Sequence, residues 1–333
     1  MSRFGRPPAP PTTAASLGKL PRLTPTGTEP VRAERAARID DGQLHAGVIC
    51  NPRSHRNRKA EIAHQVPAPD VVLAAPRTHG ELAATLTEFA ARGIGLLVID
   101  GGDGTIRDVL TAAHDAFGED MPQVAILPTG KTNALALDLG VPVGWSLDAA
   151  LAAAQRGGIR RRAPLVVRRP GAVDLHGFLF GAGAFVRATE LAQRTHRAGA
   201  FNDFAVALAI VWALLQTLFG RGSSEWRGGE PMRVVAGDDV IADGATFIMM
   251  ASTLENLPLG IKPLGPPRAG LKAVVADAPP RRLLSALVRA LLGKRGGWLE
   301  RHGYRHRDFA AATLDVPGGF ILDGELYTGG AME

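Results

Sequence analysis

The segment 94–99 (IGLLVI) runs without a polar side chain into Asp100-Gly101-Gly102-Asp103-Gly104-Thr105, and residues 106–116 then take up helical periodicity. So short an apolar run, bounded by glycine, predicts a strand buried on both faces, as in a parallel sheet covered by helices. The same pattern recurs on either side. Residues 46–50 (AGVIC) read as a buried strand ended by Asn51-Pro52. Thr78 followed by Glu81 predicts a capping box, after which Leu82, Leu86 and Phe89 share one helical face until Gly93. Residues 123–127 (QVAIL) form a further strand, closed by Pro128-Thr129-Gly130-Lys131-Thr132-Asn133 and a short helix to Gly140. This repetition predicts an α/β domain over 45–143, with ligands beyond the carboxyl ends of its strands. Both polar loops lie there.

Beyond residue 158 the character changes. Residues 165–167, 172–180, 232–235, 245–250, 271–276 and 312–316 read as strands separated by glycine and proline. A second, mainly antiparallel domain over 144–318 is expected, with helices inserted near 188–218 and 281–292. The last fifteen residues, 319–333, begin with the strand-like Phe320-Ile321.

Composition narrows the class. Hydrophobic residues are 46% of 333 and charged residues 21%, values of a packed globular chain. Residues 1–28 hold no acid, four basic residues and six prolines, so 1–44 is expected to be a disordered Pro/Arg-rich tail without the apolar core of a secretory signal. The single cysteine, Cys50, pairs with no second one, and no Cys/His spacing points to zinc; a reducing cytoplasm is the expected compartment. The longest apolar stretch near Phe204 and Trp212, FAVALAIVWALL, is too short to span a bilayer. The net charge of +6 and pI near 10.0 favour anionic partners. Basic residues are not interleaved with aromatics, so nucleic acid is not expected among them.

Chemistry concentrates in three loops. Gly101, Gly102 and Gly104 let backbone N–H groups approach a phosphate at the start of a helix, with Thr105 beside them. Asp103 between them either activates a hydroxyl, holds Mg²⁺ on a nucleotide or caps the helix. Gly130-Lys131-Thr132 resembles the end of a P-loop, but Ala125 stands where that motif needs its first glycine, which excludes it. Lys131 suits a phosphate or simply solvent, and Asn133 a ribose, base or metal-bound water. Asp323-Gly324-Glu325 reads in isolation as a hairpin turn.

Together, Asn51-Pro52-Arg53-Ser54, the loop 101–105 with Asp108 and Val109, residues 127–133 and Asp323-Gly324-Glu325 resemble the diacylglycerol kinase catalytic family, which includes bacterial soluble lipid kinases, sphingosine kinases and ceramide kinases. The resemblance extends over about 45–328. It implies a Rossmann-like nucleotide domain, a carboxy-terminal antiparallel β-sandwich for the lipid, ATP and Mg²⁺ in the cleft, and a final strand carrying Glu325 back toward the nucleotide domain. It makes Asp103 and Glu325 the catalytic acids, also reaching the metal through water. Asn51, Pro52, Ser54, Gly101, Gly102, Gly104, Thr105, Thr129, Gly130, Lys131, Thr132, Asn133, Asp323 and Gly324 would surround the nucleotide.

Three positions differ from that family's pattern: Asp108 replaces the usual glutamate, Ala134 an aspartate, and Phe185 the acid that sphingosine kinases present to an amine. The implied acceptor is a neutral long-chain lipid, ceramide or diacylglycerol, near Phe185, Phe204 and Trp212. Residues 281–295 (RRLLSALVRALLGKR) place Leu284, Leu287, Val288 and Leu291 on one face among basic residues, a pattern suited to an anionic membrane surface. The expectation is a cytoplasmic enzyme at the inner face of the membrane, with homodimerisation open. A kinase of a soluble metabolite such as NAD, or an inactive binding protein, is the alternative.

Overall fold

The computed structural model describes residues 39–40, 43–52, 54, 70–189 and 227–333, and residues 36–333 form one compact unit. The proline-rich tail, Phe204, Trp212 and most of the helical region expected at 188–218 lie outside the described residues. Ile39–Asp40 (β1) and Gln43–Leu44 (β2) make a small antiparallel pair.

Ala46–Cys50 (β3), Val71–Ala74 (β4), Leu96–Gly101 (β5) and Gln123–Pro128 (β6) form a wholly parallel sheet in the order β4-β3-β5-β6. Every residue of β3 and β5 is buried, as the apolar runs predict. Alternation divides them between two layers. Leu97 and Ile99 pack with Leu82, Leu86 and Phe89 of His79–Ala91 (α1) and Ile106 and Val109 of Asp103–Phe117 (α2). Leu96 and Val98 pack on the other face against Leu147 and Ala150 of Leu147–Arg156 (α4), which follows the short helix Ala134–Leu139 (α3). The α/β layer therefore runs on to residue 156 rather than ending at 143.

Boundaries differ in instructive ways. Thr78 Oγ1 accepts the Glu81 N–H as expected, but the Glu81 carboxylate accepts from Arg77 N–H, one residue before the cap. Helix α2 starts at Asp103, three residues earlier than the periodicity indicates, because glycine and threonine in its first turn carry no apolar signal.

The remaining strands build the antiparallel region. Leu165–Val167 (β7) pairs with Leu175–Gly177 (β8). Leu179–Gly183 (β9), Glu230–Ala236 (β10), Asp239–Ser252 (β11), Leu271–Asp277 (β12), Tyr304–Phe309 (β13), Thr313–Val316 (β14), Phe320–Leu322 (β15), Glu325–Tyr327 (β16) and Gly330–Met332 (β17) form one nine-stranded sheet. The single strand expected over 172–180 is split at Phe178. Strand β8 turns to β7, whereas β9 joins β11 and β15.

The two layers of the expected sandwich are continuous through β11. Its first half pairs with β10, and residues 248–252 lie between β9 and β12. Register shifts occur at Val234/Val235 and Thr246/Ile248, the irregularities that let a long strand bend from one layer to the other. Phe180, Met249 and Val275 from one layer meet Val234, Leu314 and Met332 from the other in a common core. Leu283–Leu291 (α5) and Trp298–Arg301 (α6) cover an outer face, where Ala286 and Leu299 pack with Ala184, Phe247 and Ala276.

Residues 319–333 are a hairpin followed by a separate strand: β15 and β16 lie at the β9 edge, and β17 pairs with β14. Asp323 and Gly324 form the two-residue turn with φ of 46° and 84°, the positive pair that a type I′ hairpin requires.

Candidate active site

In the parallel sheet, strand order reverses between β3 and β5, and the crevice beyond the carboxyl ends of such neighbours is where α/β sheets bind ligands. Asp100, 1% exposed at the end of β5, fastens this edge. Its carboxylate accepts the Cys50 thiol at 3.3 Å and the Thr129 hydroxyl at 2.8 Å, joining the ends of β3, β5 and β6. Burial and the Asp100 charge push the Cys50 thiol up to about 12, so it stays protonated as a donor.

The two polar loops meet backbone to backbone. A Cβ at Gly102 would fall 2.8 Å from Gly130 Cα, and Thr129 N–H donates to Gly101 O at 3.3 Å. A Cβ at Gly101 would collide with the Thr105 side chain. Gly101, Gly102 and Gly130 are thus required by chain packing. Gly104 differs: nothing but Arg107 Nη2, at 3.9 Å, would meet its Cβ. Glycine there costs helix stability without relieving a clash, which leaves an open approach to the first turn of α2.

Asn51 Nδ2–H donates to Thr105 Oγ1 at 2.7 Å. Asn133, left-handed at φ 50°, uses both ends of its amide on the Gly130 backbone, at 3.0 Å each, and so closes the 130–133 loop. Lys131 and Thr132 are exposed. Between Asn51, Pro52, Thr105 and Asp108 lies a polar cavity of about 220 Å³, whose opposite wall is Pro76, Arg77, Thr78 and His79. The Ser54 hydroxyl, 7% exposed, has no hydrogen-bond partner among the described residues. A buried hydroxyl of this kind and an open glycine fit a phosphorylated nucleotide.

Asp103, first residue of α2, accepts the Leu135 N–H at 3.3 Å and caps α3. Burial raises its proton affinity above that of an ordinary carboxyl, against the lowering effect of backbone N–H groups at Ala134, Leu135, Asp103 and Asn133. The acid that meets it is Asp323. Both line a cavity of about 10 Å³ with Ile106, Ala134, Leu135, Phe178 and Leu254. The Asp323 carboxylate accepts Phe178 N–H at 3.0 Å and Leu179 N–H at 2.9 Å, and burial pushes its pKa up to about 7, helped by the Asp103 charge.

Glu325, a catalytic acid by the resemblance, stands on β16. It pairs with Leu322 across the hairpin, is exposed, and does not line the cavity Asp103 shares with Asp323. Its charge acts instead on Arg107. Arg107, 6% exposed, binds Asp108 at 2.7 Å and donates to Leu322 O at 3.2 Å, tying α2 to the hairpin. Phe185 packs over Gly181. Arg107, Arg77 and Thr78 are the site residues that sequence reasoning missed. Arg107 lies one helical turn after Asp103, and Arg77-Thr78 follow β4 at the sheet's carboxyl edge, which was the available signal.

Among the described residues no cluster of three or more His, Cys, Asp or Glu side chains is arranged to hold a metal, and no helix is long and apolar enough to cross a membrane. Asp103, Asp108 and Glu325 are separate carboxylates, and Asp108 is bound by Arg107.

The fold is a parallel α/β layer joined to an antiparallel one. Residues 45–165 match the model of the diacylglycerol kinase catalytic domain. Proteins described as probable lipid kinase YegS, from Shigella flexneri and from Escherichia coli O157:H7, are 39% identical over 72 residues. That stretch is 22% of this chain and 23% of each relative. A diacylglycerol kinase structure from Bacillus anthracis covers 87% of this chain and 92% of its own, with TM-score 0.57 and 16% identity. A putative diacylglycerol kinase from the same organism gives 0.59 and 17%, covering 87% and 93%. These likenesses establish the two-part fold.

Proposed function

We propose that this protein is an ATP-dependent lipid kinase that phosphorylates the primary hydroxyl of a neutral long-chain lipid of the ceramide or diacylglycerol type. The observation that carries the reading is Asp103: a half-buried carboxylate of raised proton affinity at the N-terminus of α2, beside the two glycine loops. Such a group takes the hydroxyl proton as the alcohol oxygen attacks the γ-phosphorus of ATP and ADP leaves. Gly104, Thr105, Asn51 and Ser54 would hold the phosphates and ribose, and Arg77 and Thr78 the far wall. Lys131, exposed at the loop tip, would close on the phosphates. Mg²⁺, held by phosphate oxygens with Asp103, Asp108 or Glu325 through water, would neutralise charge on the transferring group.

Phe185 gives no charge to a sphingoid amine, which favours a neutral acceptor. Leu284, Val288 and Leu292 form an exposed stripe, 44%, 58% and 68% accessible, with Arg281, Arg282 and Lys294 exposed near it. This fits reversible docking on the anionic inner face of the membrane.

The test is transfer of labelled γ-phosphate from ATP to ceramide, diacylglycerol, monoacylglycerol, sphingosine and NAD, side by side in detergent micelles. Labelled ceramide phosphate or phosphatidate is expected. Preference for sphingosine overturns the acceptor class, and label in NAD alone overturns the lipid reading.

A further inference from the structure

Strand β6 ends the parallel sheet, and a cavity of about 1010 Å³ runs along its outer edge. Helices α2, α3 and α4 and the segment 158–164 enclose it. Small residues keep it open: Ala150, Ala153 and Ala154 on α4 and Gly158 beyond it all line the space. Trp145 and Phe178 bring aromatic rings to its wall. Size and lining are those of a site for an organic molecule. The cavity is separate from the one that Asp103 and Asp323 share, with Leu135 and Phe178 lining both.

The charged lining is of one sign. Arg160, Arg161, Arg162, His114 and His176 border the cavity, and among the described residues no aspartate or glutamate does. Arg162 is taken up by Asp138 and Glu255, whereas Arg160 is exposed and its charge reaches as far as Glu255. Such a lining favours an anion over a cation.

His176 on β8 supplies the second observation. It is 6% exposed, yet its Nδ1 has no hydrogen-bond partner among the described residues. Its backbone N–H donates to Thr111 Oγ1 at 3.1 Å, and its ring centroid lies 4.6 Å from that of the exposed His114, with the planes 42° apart. The charged groups acting on the ring are His114 and Asp115 of α2, Asp174 before β8 and Arg168 after β7, the last two paired at 3.1 Å. Burial and then His114 hold it below the usual histidine range, so the ring is neutral near pH 7. A buried ring nitrogen left unpaired is unfavourable, and a ligand that pairs it removes that penalty.

We infer that this cavity binds a carboxylate of a fused aromatic ring system, its rings against Trp145 and Phe178 and its carboxylate at His176 Nδ1. Aromatic faces prefer offset or edge-on contact with other rings, which fixes the body of the ligand. A carboxylate in an apolar cavity needs a donor, and its charge beside the imidazole pair favours the protonated ring. The complex therefore takes up a proton from solvent, which goes to His176 or His114.

The experiment titrates the full chain with 1-pyrenecarboxylate, followed by its fluorescence, and with the uncharged 1-pyrenemethanol. One saturable site is expected, at least tenfold tighter for the acid. Ala153→Trp, which fills the cavity, should weaken the acid at least tenfold with an unchanged circular dichroism spectrum. His176→Phe should bring acid and alcohol within a few-fold of each other. Calorimetry of the unmodified protein at pH 7, in buffers of different ionisation enthalpy, should show proton uptake on binding the acid. A diazirine-bearing aryl carboxylate should label peptides within 121–126, 139–145 or 153–164 of the unmodified protein, a readout independent of any variant's folding. No saturable binding, equal affinity for acid and alcohol, unweakened binding by a folded Ala153→Trp protein or binding without proton uptake would each overturn the assignment. So would tighter binding of oleate than of the aryl acid, or label confined to 283–292. No arm measures phosphoryl transfer, so the outcome is separate from that of the kinase assay.

Discussion

Asp103 and Asp323 line one cavity of about 10 Å³, although one opens a helix of the parallel α/β layer and the other turns a hairpin of the antiparallel sheet. Each carboxylate is engaged by backbone N–H groups of a neighbouring segment: Asp103 by Leu135 of α3, Asp323 by Phe178 and Leu179. Burial raises the pKa of each, that of Asp323 to about 7, and the Asp103 charge raises Asp323 further. The Asp103 charge is thus felt by the turn of the hairpin, at Asp323.

The raised pKa of Asp323 makes stability depend on pH in a definite direction. The unfolded chain releases this proton near pH 4, the usual aspartate value, while the native state keeps it until about pH 7. Between those values the native state binds more protons, so this group's contribution to stability falls as pH rises from about 4 to about 7. Asp323→Asn should flatten that part of the profile. Melting temperatures across pH 4 to 8 check it; an unchanged slope would place the Asp323 pKa in the normal range.

Gly102 and Gly104 stand two residues apart and should respond oppositely. Gly102→Ala puts a methyl against Gly130 Cα and should destabilise the protein by at least ~1 kcal/mol. Gly104→Ala meets nothing within 3.9 Å and should stabilise the helix by about 0.5–1 kcal/mol, while raising the KM for ATP. Denaturant unfolding and steady-state kinetics separate the two. A Gly104→Ala protein with an unchanged KM would remove the nucleotide from this turn.

Asp138 on α3 is fully buried and binds Arg162 at 2.7 Å, Glu255 N–H at 3.0 Å and Asn256 N–H at 2.7 Å. Asp138→Ala leaves these donors unsatisfied and should cost about 3–5 kcal/mol. Urea unfolding measures it. A loss under 1 kcal/mol would mean that α3 is held by its apolar contacts alone.

The exposed stripe of α5 predicts binding to anionic vesicles that weakens as salt rises, since charge interactions are screened over about 10 Å at 0.1 M. Val288→Asp, at a side chain already 58% exposed, should reduce that binding without lowering the melting temperature. Co-sedimentation with phosphatidylglycerol vesicles at two salt concentrations checks both; salt-independent binding would point to another surface.

Much of this was legible in local sequence. The parallel strands announced themselves because burial on both faces demands uninterrupted apolar runs, and Thr78 because a cap is a side chain's bond to its own chain. What escaped was set by distant partners. The break at Phe178 follows from Asp323, far along the chain, capturing its N–H. Arg107 is enclosed by Leu322 O, far along the chain, and by its neighbour Asp108. The outward direction of Glu325 depends on hairpin register, which a DG turn fixes only once its two strands are known. The bend of β11 that joins the two layers rests on bulges with no signature in composition.

The central claim, that Asp103 takes the proton of a lipid hydroxyl, is tested most directly by single-turnover phosphoryl transfer in the Asp103→Asn protein at saturating ATP. A rate on the order of 10²–10⁴ lower than wild type, with ATP affinity little changed, is expected. A rate within a few-fold of wild type would contradict it.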